Sequence, residues 1–477
     1  MPTPAIAPSI DGTGRPNLIV GLVDTTWGPP LGNMTITSYL EAYSSRGTLA
    51  TPTGQLAGWP VQIPGLEQGY GVAQDFVTQG TESPVIYDGP TGPQAIVNSN
   101  LFFPVRVDLT SRTVSQPFAA LSPEVVPQLT TLGLPPLAIV PFTSSASLGK
   151  AVGGTVPLVA QPGSSAGNVV LGITQTPGLG VKVENSMGVW AADTGVTTAA
   201  ANHKIQGLAF FTAPAIADVT GTGLPAIIQP TDSGAVEGFD LATGTAVGGF
   251  PKWTGGWSLF TPAVGDLTGS GMVAVAANTR EGYLHVWDTP GLTSANHEAW
   301  HWHQDDRNTG HYGTDTRPPA AVPDLTVSSS GGEDTLTFTA PGDDWNWGTA
   351  ASYQVFRSSQ PITQDNIGQA TPVAVSQKPQ VAGSHETIDP PHVEGQPYYA
   401  VRAVDAAGNI GPVQVRAGAT SLNPGGSSNG AIPAVSGPGS LPNTATGATA
   451  TGALVGLLAG ILVTLGTLAL RRRSTPA

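Results

Sequence analysis

The sequence lacks cysteine altogether and has few charged residues. With no Cys among its 477 residues, the chain has no disulfide framework, no thiolate nucleophile and no cysteine-ligated zinc or iron–sulfur site. Only 10% of residues are charged, and the excess of Asp and Glu over Lys and Arg gives a net charge of −14. This acidity argues against nucleic acid as a partner.

Glycine and proline, by contrast, are frequent. The chain contains 62 Gly and 44 Pro, which is above ordinary usage but below the share that marks a disordered chain. Its length and its 40% apolar residues suffice for two or three hydrophobic cores. We therefore expect a folded, turn-rich protein.

Three segments share one pattern of strand, tight turn and strand. They read TPAIAPSIDGTGRPNLIV from Thr3, TAPAIADVTGTGLPAIIQ from Thr212 and FTPAVGDLTGSGMVAVAA from Phe260. The last two are 48 residues apart, measured from Asp218 to Asp266, and the blades of β-propellers repeat every ~40–50 residues.

This pattern resembles the FG-GAP/VCBS-type β-propeller repeat. The resemblance implies an all-β fold with a propeller over residues 1–316, with about five blades present and an irregular insertion at about 111–138. The first repeat begins at residue 3, in the middle of a blade. Since a propeller must close on itself, we expect the propeller to be truncated at its N-terminus, with further blades upstream.

The turn of this family is usually written DxDGDG, and in many relatives it binds calcium. Here Asp218 and Asp266 keep only the first acid of the turn, and Asp11 keeps only the third. One carboxylate per turn is a poor ligand set for a hard cation. We therefore predict structural turns whose Asp and Thr side chains bond backbone amides, no cofactor, and weak calcium binding as the alternative.

Four of the eight histidines lie in the segment HEAWHWHQDDRNTGHYG, residues 297–313. The segment resembles those that close many propellers of this kind. If it were a strand, His301 and His303 would share one face and, with Asp305 or Asp306, offer metal ligands at i, i+2 spacing. We favour the closing role over this metal site.

Residues 319–420 resemble a fibronectin type III domain. The strands that carry the resemblance are 322–327, 335–341, 353–357 and 398–405. The period of two places Tyr399, Val401 and Ala403 on one face, which should be core. Trp345 and Trp347 lie in a loop, where they either pack onto their own sandwich or stack on a sugar or a protein.

The C-terminus resembles the LPxTG cell-wall sorting signal. After a Gly/Ser/Pro linker at 421–440, the signal (441–473) comprises Leu441-Pro442-Asn443-Thr444-Ala445, an uncharged apolar span at 453–470 and Arg471–Arg473. The resemblance implies that a sortase cleaves after Thr444 and joins the chain to peptidoglycan, although Ala445 stands where the family usually has Gly. The alternative is a permanent transmembrane helix, because 18 apolar-biased residues just cross a bilayer with the arginines inside.

Both readings place the protein on the cell surface. The N-terminus has no basic region followed by an apolar run, so we expect an export signal peptide upstream of Met1. No nucleophile elbow, HExxH, phosphate loop or dinucleotide fingerprint is present in the sequence, and none of these catalytic arrangements is therefore indicated.

The sequence thus predicts a non-catalytic surface protein that binds an extracellular protein or glycan. The alternative is the C-terminal, non-catalytic part of a secreted protease or glycosidase whose catalytic domain lies upstream.

Overall fold

The structure, a computed structural model, is an all-β protein in two compact units divided between Thr314 and Asp315. It describes residues 3–28, 33–45, 54–64, 68–70, 83–98, 104–118, 141–165, 185–200, 203–207, 209, 213–258, 260–268, 270–295, 297–322 and 324–417. Within these ranges the strands form antiparallel sheets, and the only helix is a 3₁₀ turn at Ile367–Gln369. The predicted all-β class is confirmed.

The first unit contains five sheets in its described part. Sheet 1 has β1 (Ala5–Ala7), β2 (Asn17–Gly28), β3 (Asn33–Ser44) and β4 (Val61–Ile63) in that order, with β5 (Gln68–Tyr70) also on β3. Sheet 2 has β6 (Val85–Gly89), β7 (Gly92–Val97), β8 (Val105–Asp108) and β9 (Val114–Ser115) in that order.

The remaining three sheets of this unit follow along the chain. Sheet 3 has β10 (Pro141–Thr143), β12 (Leu158–Ser165), β13 (Asn185–Ala191) and β14 (His203–Ile205), with β11 (Ser147–Gly149) also on β12. Sheet 4 has β15 (Ala215–Ala217), β16 (Ala226–Pro230), β17 (Ala235–Asp240) and β18 (Lys252–Trp253), and β22 (His297–Ala299) pairs with β15. Sheet 5 has β19 (Ala263–Gly265), β20 (Met272–Asn278) and β21 (Leu284–Leu292).

Successive sheets pack on one another through apolar clusters. Val107 of sheet 2 lies in a cluster with Ile19 and Leu40 of sheet 1. Trp190 of sheet 3 lies in one with sheet 2, and Phe239 of sheet 4 lies in one with sheet 3. Sheets 2 and 3 therefore turn one apolar face to the preceding sheet and the other to the following sheet, because successive side chains of a strand point to opposite faces.

The predicted irregular insertion at 111–138 begins too early. The turn after β8 leads directly into β9, which pairs with β8 in sheet 2. Arg112 has a φ of 62° in this turn, where the matching turns of sheets 3 and 4 have Gly195 and Gly244 at 70° and 72°. Because a left-handed residue is usually Gly, the arginine concealed this repeat in the sequence. Residues 119–138 lie outside the described residues.

The second unit is formed by two sheets. One has β23 (Thr326–Ser330), β24 (Glu333–Thr339) and β27 (His385–Ile388), and the other has β26 (Thr371–Val373), β25 (Ser352–Ser358), β28 (Tyr398–Val404) and β29 (Gln414–Ala417). Tyr399, Val401 and Ala403 are buried in one cluster with Leu336 and Phe338 of the facing sheet. Their predicted core position is confirmed.

Its first strand starts later than predicted. The sequence placed a strand at 322–327, whereas β23 begins at Thr326, and Val322 and Leu325 are buried in the cluster without belonging to the strand.

Among the described residues, no helix is long and apolar enough to span a membrane. The predicted linker at 421–440, the pentapeptide Leu441–Ala445 and the apolar span at 453–470 lie outside those residues.

Candidate functional site

The turns that resemble calcium loops are closed by their own aspartates. Asp218 Oδ1 accepts hydrogen bonds from the amides of Thr220 and Gly221, and Oδ2 accepts one from the amide of Gly223, at 2.8–3.0 Å. Asp266 repeats this arrangement with the amides of Thr268, Ser270 and Gly271. The two carboxylates therefore accept hydrogen bonds from turn amides that would otherwise lack a backbone acceptor.

The first turn reaches the same result with different residues. Gly14 donates its amide to the hydroxyl of Ser9 instead of to an aspartate, and Asp11 accepts from the amide and the hydroxyl of Thr13. These hydrogen bonds from Thr13 lower the pKa of Asp11 to about 2. The three predicted metal residues are thus brought into three separate turns, and the described part of the chain holds no cluster of three acidic or histidine side chains suited to a metal ion.

Residues 297–312, which we term the connecting segment, contact all five sheets of the first unit. Their partners are one short strand of each sheet, through Ala299 paired with Ile216, Val264 N to Trp300 O, Leu148 N to Gln304 Oε1, Ile6 N to Thr309 O, and Ile86 N to Gly310 O. The side-chain amide of Gln304 both accepts from Leu148 N and donates to Leu148 O, at 3.1 Å each. The Gln304 side chain thereby makes with β11 the pair of hydrogen bonds that a neighbouring antiparallel strand would make.

The connecting segment is not a strand at His301 and His303, although the predicted metal site required a strand there. β22 ends at Ala299, and His303 and Gln304 have φ values of 62° and 81°. His301 therefore pairs with Asp306 at 2.9 Å, while His303 is buried with Nδ1 2.9 Å from the carbonyl of Asn308. Burial lowers the pKa of His303 below its ordinary value. The two histidines thus serve different local contacts and do not form the proposed ligand pair.

A polar cleft of about 370 Å³ opens between sheets 2 and 3. Its lining residues are Tyr87, Pro90, Thr91, Gln94, Arg106, Asp108, Ser111, Thr113, Ser115 and Asp193. Arg106 anchors the wall of sheet 2 to the turn of sheet 3 by donating to the carbonyls of Ala192 and Asp193. The Tyr87 hydroxyl donates to the same Ala192 carbonyl at 3.0 Å. The cleft is therefore held open between two fixed walls.

Asp108 organises the floor of this cleft. Its carboxylate accepts from the Gln94 amide at 2.7 Å and the Thr91 hydroxyl at 2.8 Å, and from the backbone amide of Ser111. Burial raises the pKa of Asp108, but these hydrogen bonds outweigh it and lower the pKa to about 2. The group is therefore a fixed anion at neutral pH. Burial and the nearby carboxylate of Asp193 raise the pKa of Tyr87, so this phenol stays protonated.

Sequence reasoning missed this cleft. Its main residues, Arg106, Asp108 and Thr113, belong to the repeat that Arg112 concealed. The available signal was the match of VDLTSRT to FDLATGT around Asp240, which becomes visible once Arg is accepted at the Gly position.

A second, more apolar cleft of about 450 Å³ lies between sheets 3 and 4. Val152, Leu224, Thr245 and Val247 are among its lining residues. This cleft is lined by the turn from Asp240 to Thr245 of sheet 4, which occupies the same position of the repeat as the turn from Asp108 to Thr113 in the polar cleft. The second cleft can therefore serve as an internal control for the polar cleft.

The two loop tryptophans of the second unit differ in their surroundings. Trp345 lies under the guanidinium of Arg317, 5.0 Å from the ring centroid, and donates its backbone amide to Pro318 O. Trp347 is 57% exposed. Trp345 therefore packs onto its own unit, and Trp347 is the residue that solvent reaches.

Comparison with known proteins leaves the family open. No protein-family model and no curated protein matches the sequence. Among solved structures, BBS1N in complex with ARL6DN is similar at 10% identity and a TM-score of 0.30 over 71% of this chain and 88% of that one. BamB from Moraxella catarrhalis is similar at 13% identity and a TM-score of 0.27, over 80% of this chain and 81% of that one. A fungal alcohol oxidase in complex with copper is similar at 13% identity and a TM-score of 0.22, over 87% of this chain and 96% of that one. At these TM-scores we base no argument on them.

Proposed function

We propose that the chain is a non-catalytic binding or adhesion protein of the cell surface. In this proposal the first unit is a β-propeller of the FG-GAP/VCBS type, the second is a fibronectin type III-like spacer, and the C-terminal signal attaches the protein to the wall or membrane. The propeller is supported by five antiparallel sheets, packed face to face in series, that share one connecting segment. The spacer is supported by two facing sheets with a common core.

The polar cleft is the observation that carries the binding function. Hydroxyls and the Arg106 guanidinium supply donors and the Asp193 side chain supplies an acceptor, while the Gln94 side-chain amide and Asp108 bond each other in the wall. This mixture complements a hydroxyl-rich ligand. We therefore propose a glycan as the ligand of this cleft.

The same residues favour binding over hydrolysis. A glycosidase needs a carboxylic acid that is protonated near neutral pH beside a second carboxylate. Asp108, with a pKa of about 2, has no proton to donate there. The group is suited to fixing donors in place, not to acid catalysis, and we propose no cofactor.

The test measures binding of soluble oligosaccharides, neutral and acidic, to the full chain by calorimetry. Thr113→Trp fills the polar cleft from an exposed turn position and should weaken binding by at least about tenfold, or 1.4 kcal/mol. Thr245→Trp, at the equivalent turn position of the second cleft, is the matched control and should bind as the wild type does.

Three outcomes oppose the proposal. Absence of binding across the panel rules out the glycan, and equal loss in both variants shows that the polar cleft is not the site. Cleavage of a bound oligosaccharide, detected by mass spectrometry of the recovered ligand, favours the hydrolase alternative.

A further inference from the structure

The polar cleft owes its polarity to three side chains that only sheet 2 carries at their positions of the repeat. Direct strand pairing aligns Tyr87, Gln94 and Asp108 across β6, β7 and β8, and Arg106 lies two residues before Asp108 on the same face. The matching positions of sheets 3 and 4 hold small or apolar residues, which are Gly149 and Ala217 for Tyr87, Leu158 and Ala226 for Gln94, and Val189 and Gly238 for Arg106. The repeat therefore forms its sheet without these polar groups, and sheet 2 is a specialised copy of it.

Asp108 uses one oxygen for its turn and the other for the wall of the cleft. Its Oδ1 accepts from two backbone amides of its own turn, and Asp240 does the same in sheet 4. Its Oδ2 accepts from the side chains of Gln94 and Thr91. All four donors are neutral groups, so they hold the carboxylate in place without cancelling its charge.

Asp193 brings a second carboxylate to the opposite wall. Its Oδ1 is enclosed and has no hydrogen-bond partner among the described residues. Arg106 is the one cation among the lining residues, and it donates to the carbonyls of Ala192 and Asp193. Within the described part of the chain, neither Asp108 nor Asp193 forms an ion pair with Lys, Arg or His. The lining thus carries two carboxylates against one guanidinium.

We propose that the polar cleft selects glycans with free amino groups, such as oligosaccharides of glucosamine. An ammonium group on the sugar offsets the excess negative charge of the lining, while the sugar hydroxyls use the donors and acceptors that a neutral sugar would use. A carboxylated sugar is repelled by Asp108 and Asp193. Affinity therefore falls from amino to neutral to acidic sugars. This inference rests on the proposed glycan-binding function and names the class of glycan.

The test compares glucosamine oligosaccharides with their N-acetylated counterparts of the same length, by calorimetry on the full chain. Acetylation removes the positive charge and keeps the sugar ring, so the ratio of the two dissociation constants reports on the charge. We expect the free amine to bind about tenfold more tightly at low salt. The ratio should shrink as the salt concentration rises above about 0.15 M, because added ions screen the attraction.

Asp193→Asn removes one negative charge from the cleft and keeps an oxygen acceptor. It should reduce the ratio by roughly threefold or more, with little change in the affinity for the N-acetylated sugar, which also shows that the cleft is intact. Asp108→Asn is the second variant of this kind. Asp240→Asn removes the same charge from the equivalent turn of the second cleft, so it is the matched control and should leave the ratio unchanged.

The failure of this inference differs from the failure of the proposed function. Equal affinity for the free and acetylated sugars, or tighter binding of an acidic sugar, overturns the amino-sugar selectivity and leaves glycan binding in place. An equal fall of the ratio in Asp240→Asn also overturns it, because the preference then comes from the net charge of −14 on the whole chain. Absence of binding to amino, neutral and acidic sugars alike refutes the glycan-binding function itself.

Discussion

Asp218 illustrates how a single side chain can close a turn through hydrogen bonds to its backbone. It is fully buried, and both of its oxygens are used by three backbone amides of its own turn. A cation at this point would have to compete for oxygens that already have partners, and no second carboxylate is available in the turn. The aspartate therefore satisfies these three amides by itself, which is the basis of the following prediction.

We predict that calcium has little effect on the folded first unit. The midpoint of thermal unfolding in about 1 mM calcium should exceed that in excess chelator by less than about 1 °C, because the site is weaker than ordinary extracellular calcium modules. Asp218→Ala should lower the free energy of unfolding by about 2–4 kcal/mol in either buffer, since it leaves buried amides unpaired. Asp24→Ala, at an exposed carboxylate, is the control.

The opposite result would be a large upward shift with calcium that chelator reverses and that Asp218→Ala with Asp266→Ala abolishes. Carbonyls and threonine hydroxyls would then complete real cation sites.

Glu237 of β17 gives a residue-scale prediction about pH. Its carboxyl is buried, and although the backbone amide of Gln206 donates to it at 2.7 Å, burial raises its pKa from 4.5 to about 7. Below pH 4.5 the group is protonated in both the folded and the unfolded state. As pH rises to about 7 the unfolded state ionises first, so stability is lost across this window.

Glu237→Gln should remove this loss while keeping an oxygen for the Gln206 amide. The variant and the wild type should melt together near pH 4.5, and the variant should melt about 3 °C higher at pH 8. Thermal melts at several pH values provide the measurement, with the exposed Glu333→Gln as control. A difference that does not change with pH would show that burial of the charge is not its cause.

At the scale of elements, β21 is fixed to sheet 4 by a bulge. The register of β20 and β21 shifts between Met272 and Ala274, and Thr289 fills the irregularity by donating its hydroxyl to Val273 O at 2.6 Å. The bulge places Gly291 directly against the Asp218 backbone. This approach, together with that of Gly221 to the Pro290 carbonyl oxygen, 2.6 Å from the position of a Cβ on Gly221, fits sheet 5 closely against sheet 4.

Gly291→Ala should therefore destabilise the first unit by about 2 kcal/mol or more, because the new methyl group meets backbone atoms that cannot rotate away. Gly265→Ala is the matched control in the same sheet, since a Cβ there has no neighbour within 4 Å, and it should be close to neutral. Chemical denaturation of both variants provides the measurement. Equal effects at the two glycines would mean that the close approach does not exist.

At the scale of the whole molecule, attachment to the cell is predicted from the C-terminal sequence alone. Deleting residues 453–473 should release the protein to the medium, because the apolar span is the proposed anchor. Removing only residues 474–477 is the control and should leave it attached. Cell fractionation and immunoblotting distinguish the two, and a deletion variant that stays on the cell would refute the anchor.

Thr444→Ala distinguishes sortase attachment from a permanent span. Under sortase attachment the wild type resists detergent until the wall is digested, and the variant becomes extractable by detergent because the cleaved bond is no longer recognised. A wild type that detergent extracts completely would favour the permanent transmembrane helix.

Local sequence patterns determined the fold class and several of the strands and turns of this protein. The all-β class, the strand–turn–strand repeats around Asp218 and Asp266 and the buried face of β28 depend on neighbours in sequence, so they could be predicted from period and turn chemistry alone. The repeat in residues 83–118 was not located in the sequence because Arg112 adopts a left-handed conformation, with a φ of 62°, at a turn position where Gly is usual.

The tertiary structure decided the functional features. The polar cleft exists because Arg106 meets the carbonyl of Asp193, 87 residues away, and the connecting segment leaves the strand conformation because Gln304 bonds Leu148, 156 residues away. The exposure of Leu284, which is 70% in the structure, is likewise invisible in sequence, since Leu284 and the buried Val236 occupy the same position of the repeat. Which of the two is covered depends only on whether another sheet packs there, and burial by a distant segment leaves no mark on local periodicity.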